Sequence, residues 1–283
     1  MFPVVTNVST VLAATLLFTS SVGAVSDASF VQKWPIDANI WHPATKIRWP
    51  GVDREVFFTT DLKYLDPYLK QPVVRHFPHG KKSFSMGRVE NKLVVIANDA
   101  GNPLQALGND FVASHESFHL AAQYFGAKIP TDIIGVEVPM HIGTRRVERF
   151  WQSLIRVAKS PSNPSNCRSV SSAYRALNTA EKQHVIVRSY WEWPAEYYSR
   201  KSQLPWMSEA EYVRRRRAFD DGYLPYVSGS IALMSLDQLK PNDPAWQYRI
   251  HDGEHPMTVL LTEHKCPALF KTQLALEVTN LEF

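Results

Sequence analysis

Short apolar pieces broken by tryptophan and proline fill the chain from Val25 to about Pro78, among them Trp34-Pro35, Trp41, Trp49-Pro50 and Val56-Phe57-Phe58. Strands and loops are predicted there rather than long helices. Lys92-Leu93-Val94-Val95-Ile96-Ala97 is rich in β-branched residues and bounded by Asn91 and Asn98-Asp99, which predicts a strand. It is expected to be an edge strand. After Gly101-Asn102-Pro103 the pattern changes. Asp110 to Phe125 carries Phe111, Val112, Phe118 and Ala122 and contains neither Pro nor Gly, so a helix ended by Gly126 is predicted. Arg145 to Ala158 predicts a further helix, and Ser160-Pro161-Ser162-Asn163-Pro164-Ser165-Asn166 reads as a loop dividing two lobes. From Ser169 to about Leu239 the chain reads as mostly helical, followed by a mixed tail with Pro241, Pro244 and Pro256. Strands first and helices afterwards make an α+β protein, with a strand-rich lobe over about 25–108 and a helical lobe over about 109–283.

The first 26 residues contain no charged side chain. Val11 to Phe18 is apolar, and Val22-Gly23-Ala24 puts small residues at a cleavage position, so residues 1–24 are expected to be a secretory signal. The apolar stretch is shorter than the ~20 residues of a membrane span, so no stable membrane association is expected after cleavage. The mature chain, 25–283, is then secreted to an extracellular or periplasmic compartment as one domain. In an oxidising compartment the two cysteines, Cys167 and Cys266, predict one disulfide. Neither has a neighbour at metal-ligand spacing.

Hydrophobic residues make up 45% and charged residues 20% of the chain, which fits a globular protein and excludes the disordered class. A net charge of +4 without a clustered basic patch gives no reason for a nucleic-acid partner. The one dense run, Arg214 to Arg217, follows Ser208-Glu209-Ala210-Glu211, whose Ser-x-x-Glu spacing is that of a capping box. It reads as the solvated part of a short helix.

The chemistry concentrates in His115-Glu116-Ser117-Phe118-His119. Positions four apart share a helix face, so His115 and His119 can point two imidazoles at one ion. Glu116 beside them can take a proton from an attacking water. A second segment, His251-Asp252-Gly253-Glu254-His255, has the inverted His-x-x-Glu-His spacing. Its central Gly and the following Pro256 predict a loop, from which one histidine could line a cleft.

Two histidines leave a tetrahedral ion short of one protein ligand. Glu137 and Glu148 are candidates, and Ser189 to Tyr198 offers two more in Glu192 and Glu196. Pro194 predicts the first turn of a helix, with Glu192 at its mouth and Glu196 one turn further in.

At this point the sequence resembles the gluzincins, zinc peptidases with two histidines and a glutamate as ligands. Trp191-Glu192-Trp193-Pro194-Ala195-Glu196-Tyr197 is similar to the Asn-Glu-Gly-Phe-Ala-Glu-Tyr of their aminopeptidase branch, and Glu192-Trp193-Pro194 to the Glu-x-Pro of the thimet-type oligopeptidases. Leu224-Pro225-Tyr226-Val227-Ser228-Gly229 resembles the Pro-Tyr-x-x-Gly helix start of the aminopeptidases. The resemblance implies a zincin-like catalytic domain holding one zinc ion per chain on His115, His119 and Glu192. It implies Glu196 behind a ligand histidine, Glu116 as general base and then acid, and Tyr226 as donor to the oxyanion. A peptide or protein is the implied substrate. The Gly-x-Met-Glu-Asn segment that anchors a free amine in aminopeptidases is missing, which favours an endopeptidase. A zinc hydrolase of a non-peptide ester or amide, and an inactive zincin-fold binding protein, are the competing expectations.

Overall fold

The computed structural model describes residues 42–59, 84–89, 92–97, 109–124, 141–160, 163–220 and 222–266, with single positions 126, 128, 133, 136, 138 and 139. The expected signal segment, residues 1–24, and Glu137 lie outside the described residues. Within them the protein is α+β: strands β1 (His42–Trp49), β2 (Val52–Thr59), β3 (Phe84–Val89) and β4 (Lys92–Ala97) precede every helix. Among the described residues, no helix is long and apolar enough to cross a membrane.

The strands form one sheet in the order β1-β2-β4-β3. Pro50-Gly51 turns β1 into β2, with Trp49 opposite Val52, and Gly51 takes the positive φ of 75° that such a turn demands. β4 runs parallel to β2 and antiparallel to β3. It is therefore an interior strand, which corrects the expectation that it lies at the edge. The partner that covers it, β2, arrives from far along the chain, where sequence pattern does not reach. Its unbroken apolar run also suits a strand enclosed on both sides, and Leu93 and Val95 are buried.

Helix α1 (Asn109–Phe118) packs against β1 and β4 and continues as a π-helical turn, His119–Tyr124. Helix α2 (Arg145–Lys159) buries Val147, Phe150, Trp151, Leu154 and Val157, the three- and four-residue spacing of an amphipathic helix. Helix α3 (Pro164–Arg175) starts inside the predicted loop, since Asn163 caps it and Pro164 fits its first turn. Packed along α2, it divides no lobes. Helix α4 (Thr179–Gln203) is the central element, buried almost continuously from His184 to Tyr197. Glu181 closes its capping box with Asn178 and also binds Arg146 at 2.9 Å and Thr144, the cap of α2, at 2.7 Å. One carboxylate thus joins the starts of two helices. Helices α5 (Glu209–Phe219) and α6 (Leu224–Leu239) follow, and the proline-containing tail folds into α7 (Ala245–His251) and α8 (Pro256–Glu263). Cys167 on α3 and Cys266 beyond α8 form a disulfide, as expected.

Candidate metal centre

The site is built where α1 crosses α4. His115 is on α1, His119 opens the π turn, and both are buried. Glu192 faces them from the middle of α4. Its Oε2 lies 3.2 Å from His115 Nε2 and 3.5 Å from His119 Nε2, and the two Nε2 atoms are 3.1 Å apart. Donors placed tetrahedrally at the about 2.0–2.1 Å of zinc–nitrogen and zinc–oxygen bonds stand about 3.3–3.4 Å from one another. The three atoms therefore have the spacing of three corners of such a tetrahedron, and these residues could hold a metal ion.

Glu192 is not at a helix mouth. Pro194 lies inside the 25-residue α4, so the predicted helix start there is corrected. The capping box at Asn178 begins the helix upstream, and proline in its interior removes the N–H that would bond Tyr190 C=O. Gln123, on the π turn, restores that partner: its Nε2 donates to Tyr190 O at 3.2 Å and to Trp191 O at 2.9 Å. With its amide nitrogen so fixed, Gln123 Oε1 faces His119 Nδ1 at 2.5 Å. The carbonyl oxygen can only accept, so Nδ1 carries the proton and the Nε2 lone pair is left for the metal. A proline on one helix thereby sets the tautomer of a histidine on another.

Arg188 precedes Glu192 by one turn, and its Nη1 holds Glu192 Oε1 at 2.7 Å, leaving Oε2 toward the histidines. Burial works against the Glu192 charge, but Arg188, His115 and His119 outweigh it and hold the group well below the usual carboxylate range. Behind His115, Glu196 Oε2 lies 3.0 Å from Nδ1. Glu196 Oε1 accepts from the Tyr212 hydroxyl and sits 3.1 Å from Arg216 Nε. Burial opposes the charge on His115 too, yet contacts with Glu192 and Glu196 raise its pKa to about 9. Glu116 is half-buried, and desolvation pushes its pKa up against the pull of His119 and His115. A carboxylate of raised basicity beside these histidines is suited to taking a proton.

Tyr226 stands at the start of α6, with its ring centroid 6.0 Å from that of His115. Its hydroxyl oxygen accepts from Arg188 Nη2 at 2.9 Å, and the Arg216 guanidinium lies 3.7 Å from its ring centroid. Burial, first among the causes, raises its pKa, so the hydroxyl keeps a proton to donate. Gly229, one turn on, is required by close approach: a Cβ there would meet Trp193 at 2.3 Å. This close approach lets α6 pack along α4.

Gln123, Arg188, Tyr212 and Arg216 are the site residues that sequence reasoning missed. The run at Arg214 to Arg217 is not uniformly solvated: the Arg214 side chain is 70% exposed and that of Arg216 only 5%. The signal was four-residue spacing, which puts Arg216 on the face of Tyr212, Gln123 on that of His119, and Arg188 on that of Glu192. Glu148 is half-buried in the first turn of α2, outside the cluster. Among the described residues the second motif forms no metal cluster. His255 caps α8 through Nδ1 and turns Nε2 to Ile186 O at 3.0 Å. No family model, curated protein or solved structure matches the chain.

Proposed function

We propose that the chain is a secreted zinc-dependent peptidase of zincin-like fold, acting within peptide chains. What carries the reading is the triangle of His115 Nε2, His119 Nε2 and Glu192 Oε2, with edges of 3.1, 3.2 and 3.5 Å. Two imidazoles and one carboxylate are a donor set that suits zinc and leaves a fourth position for chemistry. Zinc held by His115, His119 and Glu192 would supply Lewis acidity for attack of water on a carbonyl.

The chain's own groups do the rest. Glu116 takes the proton from the attacking water and passes it to the leaving nitrogen. Tyr226, its lone pair occupied by Arg188, donates its proton in a hydrogen bond to the oxyanion. Arg188 thus serves two partners, orienting Glu192 and Tyr226 together. Glu196 and Gln123 hold the outer nitrogens of His115 and His119, so both rings present Nε2 inward.

Metal analysis of the purified mature protein, joined to hydrolysis of a protein digest with and without chelator, tests the reading. Glu116→Gln is expected to keep one zinc per chain while hydrolysis falls roughly hundredfold to ten-thousandfold. A mutant working at the wild-type rate rejects the mechanism. Glu192→Ala is expected to lose most of the bound zinc, and full retention rejects the ligand set. Turnover of small acyl esters with peptides untouched would move the substrate class while leaving the metal centre standing.

A further inference from the structure

Arg188, Glu192, Glu196 and Arg200 follow one another at four-residue spacing along α4. The first three are paired with opposite charge in the metal centre. Arg200 is not. It is only 7% exposed, its Nη1 donates to Ser230 Oγ at 3.0 Å, and its guanidinium lies 4.5 Å from the Tyr212 ring centroid. Among the described residues no carboxylate comes within ion-pair distance of it. A serine hydroxyl and a ring face compensate only part of a buried guanidinium, which ordinarily requires an anion.

Arg200 lines a cleft of about 500 Å³, open to solvent on one side, between α2, α4, α5 and α6. The size is that of a small-molecule site. Ala158, Ile231, Met234 and Leu239 supply apolar wall. Lys159 and Glu209 also line it, but they are paired with each other at 2.6 Å, so Arg200 is the charge left over. Neither the three candidate ligands nor Glu116 nor Tyr226 lines this cavity.

We propose that this cavity binds a monocarboxylate with an aliphatic body, its head on Arg200 and its chain along Ile231, Met234 and Leu239. A planar guanidinium matches a carboxylate, and one such group matches a single negative charge. The site is separate from the proposed zinc chemistry and is read out by binding alone.

Isothermal titration of the full-length protein with octanoate tests this, with octanol as the uncharged probe and inorganic phosphate as competitor. One octanoate per chain is expected, bound at least about tenfold more tightly than octanol and not displaced by phosphate. Arg200→Met is expected to lose at least about tenfold in octanoate affinity while octanol binding changes little. Met234→Trp, which fills the cavity from a partly exposed position and leaves Arg200 in place, is expected to weaken both probes. No binding to the wild type, equal binding of octanoate and octanol, displacement by phosphate, or octanoate binding unchanged in Met234→Trp would each overturn the proposal.

Discussion

Two segments of this chain hold two histidines and a glutamate within five residues, and the fold treats them in opposite ways. His115 to His119 crosses from an α-helix into a π turn without a break, so both Nε2 atoms converge on Glu192. His251 to His255 is cut by Gly253, whose φ of 98° ends one helix and sends the chain into the next. There the acidic groups and His255 find ordinary partners: Glu254 binds Arg249, Asp252 pairs with Lys128, and His255 serves as a cap. Electrostatics separates them as well. Neighbouring carboxylates raise His115 to about 9, whereas burial lowers His255 to about 4. Composition made the segments look alike; an uninterrupted helix and a carboxylate from another helix give one of them three donors that could hold a metal ion.

The comparison breaks most directly by deleting one histidine from each. His119→Ala is expected to lower zinc affinity at least about hundredfold, because roughly 10–16 kcal/mol of binding is shared among few ligands. His255→Ala is expected to keep one zinc per chain. A competition titration that found the reverse would remove the distinction. A smaller effect tests orientation. Gln123→Leu keeps all three ligands but frees His119 Nδ1, and zinc affinity is expected to fall about tenfold to hundredfold. Unchanged affinity would mean that the contacts across Pro194 do not set the ring.

The smallest effect concerns the buried neutral histidine. His255 has a folded pKa of about 4, below its ordinary value of about 6.5. Between those values the unfolded chain binds a proton that the folded chain does not. Stability therefore rises with pH across this window and is lost as pH falls from about 6.5 toward about 4. His184, lowered to about 3 by burial and then by Arg188, and His264, lowered to about 4 by burial, act with the same sign. His255→Asn, which retains a capping side chain, is expected to cost about 1 kcal/mol at neutral pH and to reduce the pH slope of the denaturation midpoint by close to one proton. A slope identical to that of the wild type would show that His255 is charged in the folded protein.

Much of this arrangement was legible in the sequence because it depends on local spacing. The strand at Lys92–Ala97, the helix after Thr144 and the four-residue separation of His115 and His119 are all set by neighbours along the chain. What escaped depends on partners distant in sequence. The Pro194 segment reads as a helix start because proline fits first turns, and Gln123, from outside that helix, supplies a donor to the carbonyl that an interior proline leaves. β4 reads as an edge because nothing in its own residues announces β2. Arg216 reads as solvent-facing among its arginine neighbours, yet Glu196 and the Tyr226 ring draw it inside.

The bond between Cys167 and Cys266 closes a covalent ring with a sequence separation of 99 residues. Glu192, Glu196, Tyr212, Arg216 and Tyr226 all lie on that ring, while His115 and His119 lie on the strand of chain that precedes it. Topologically, a metal held at the centre would be a clasp between a closed loop and an open arm. Disulfide and ion would fasten different joints: reduction opens the loop, worth about 4–5 kcal/mol by chain entropy, whereas chelation would remove one cross-link between loop and arm, which stay packed through α1 on α4 and α2 on α6.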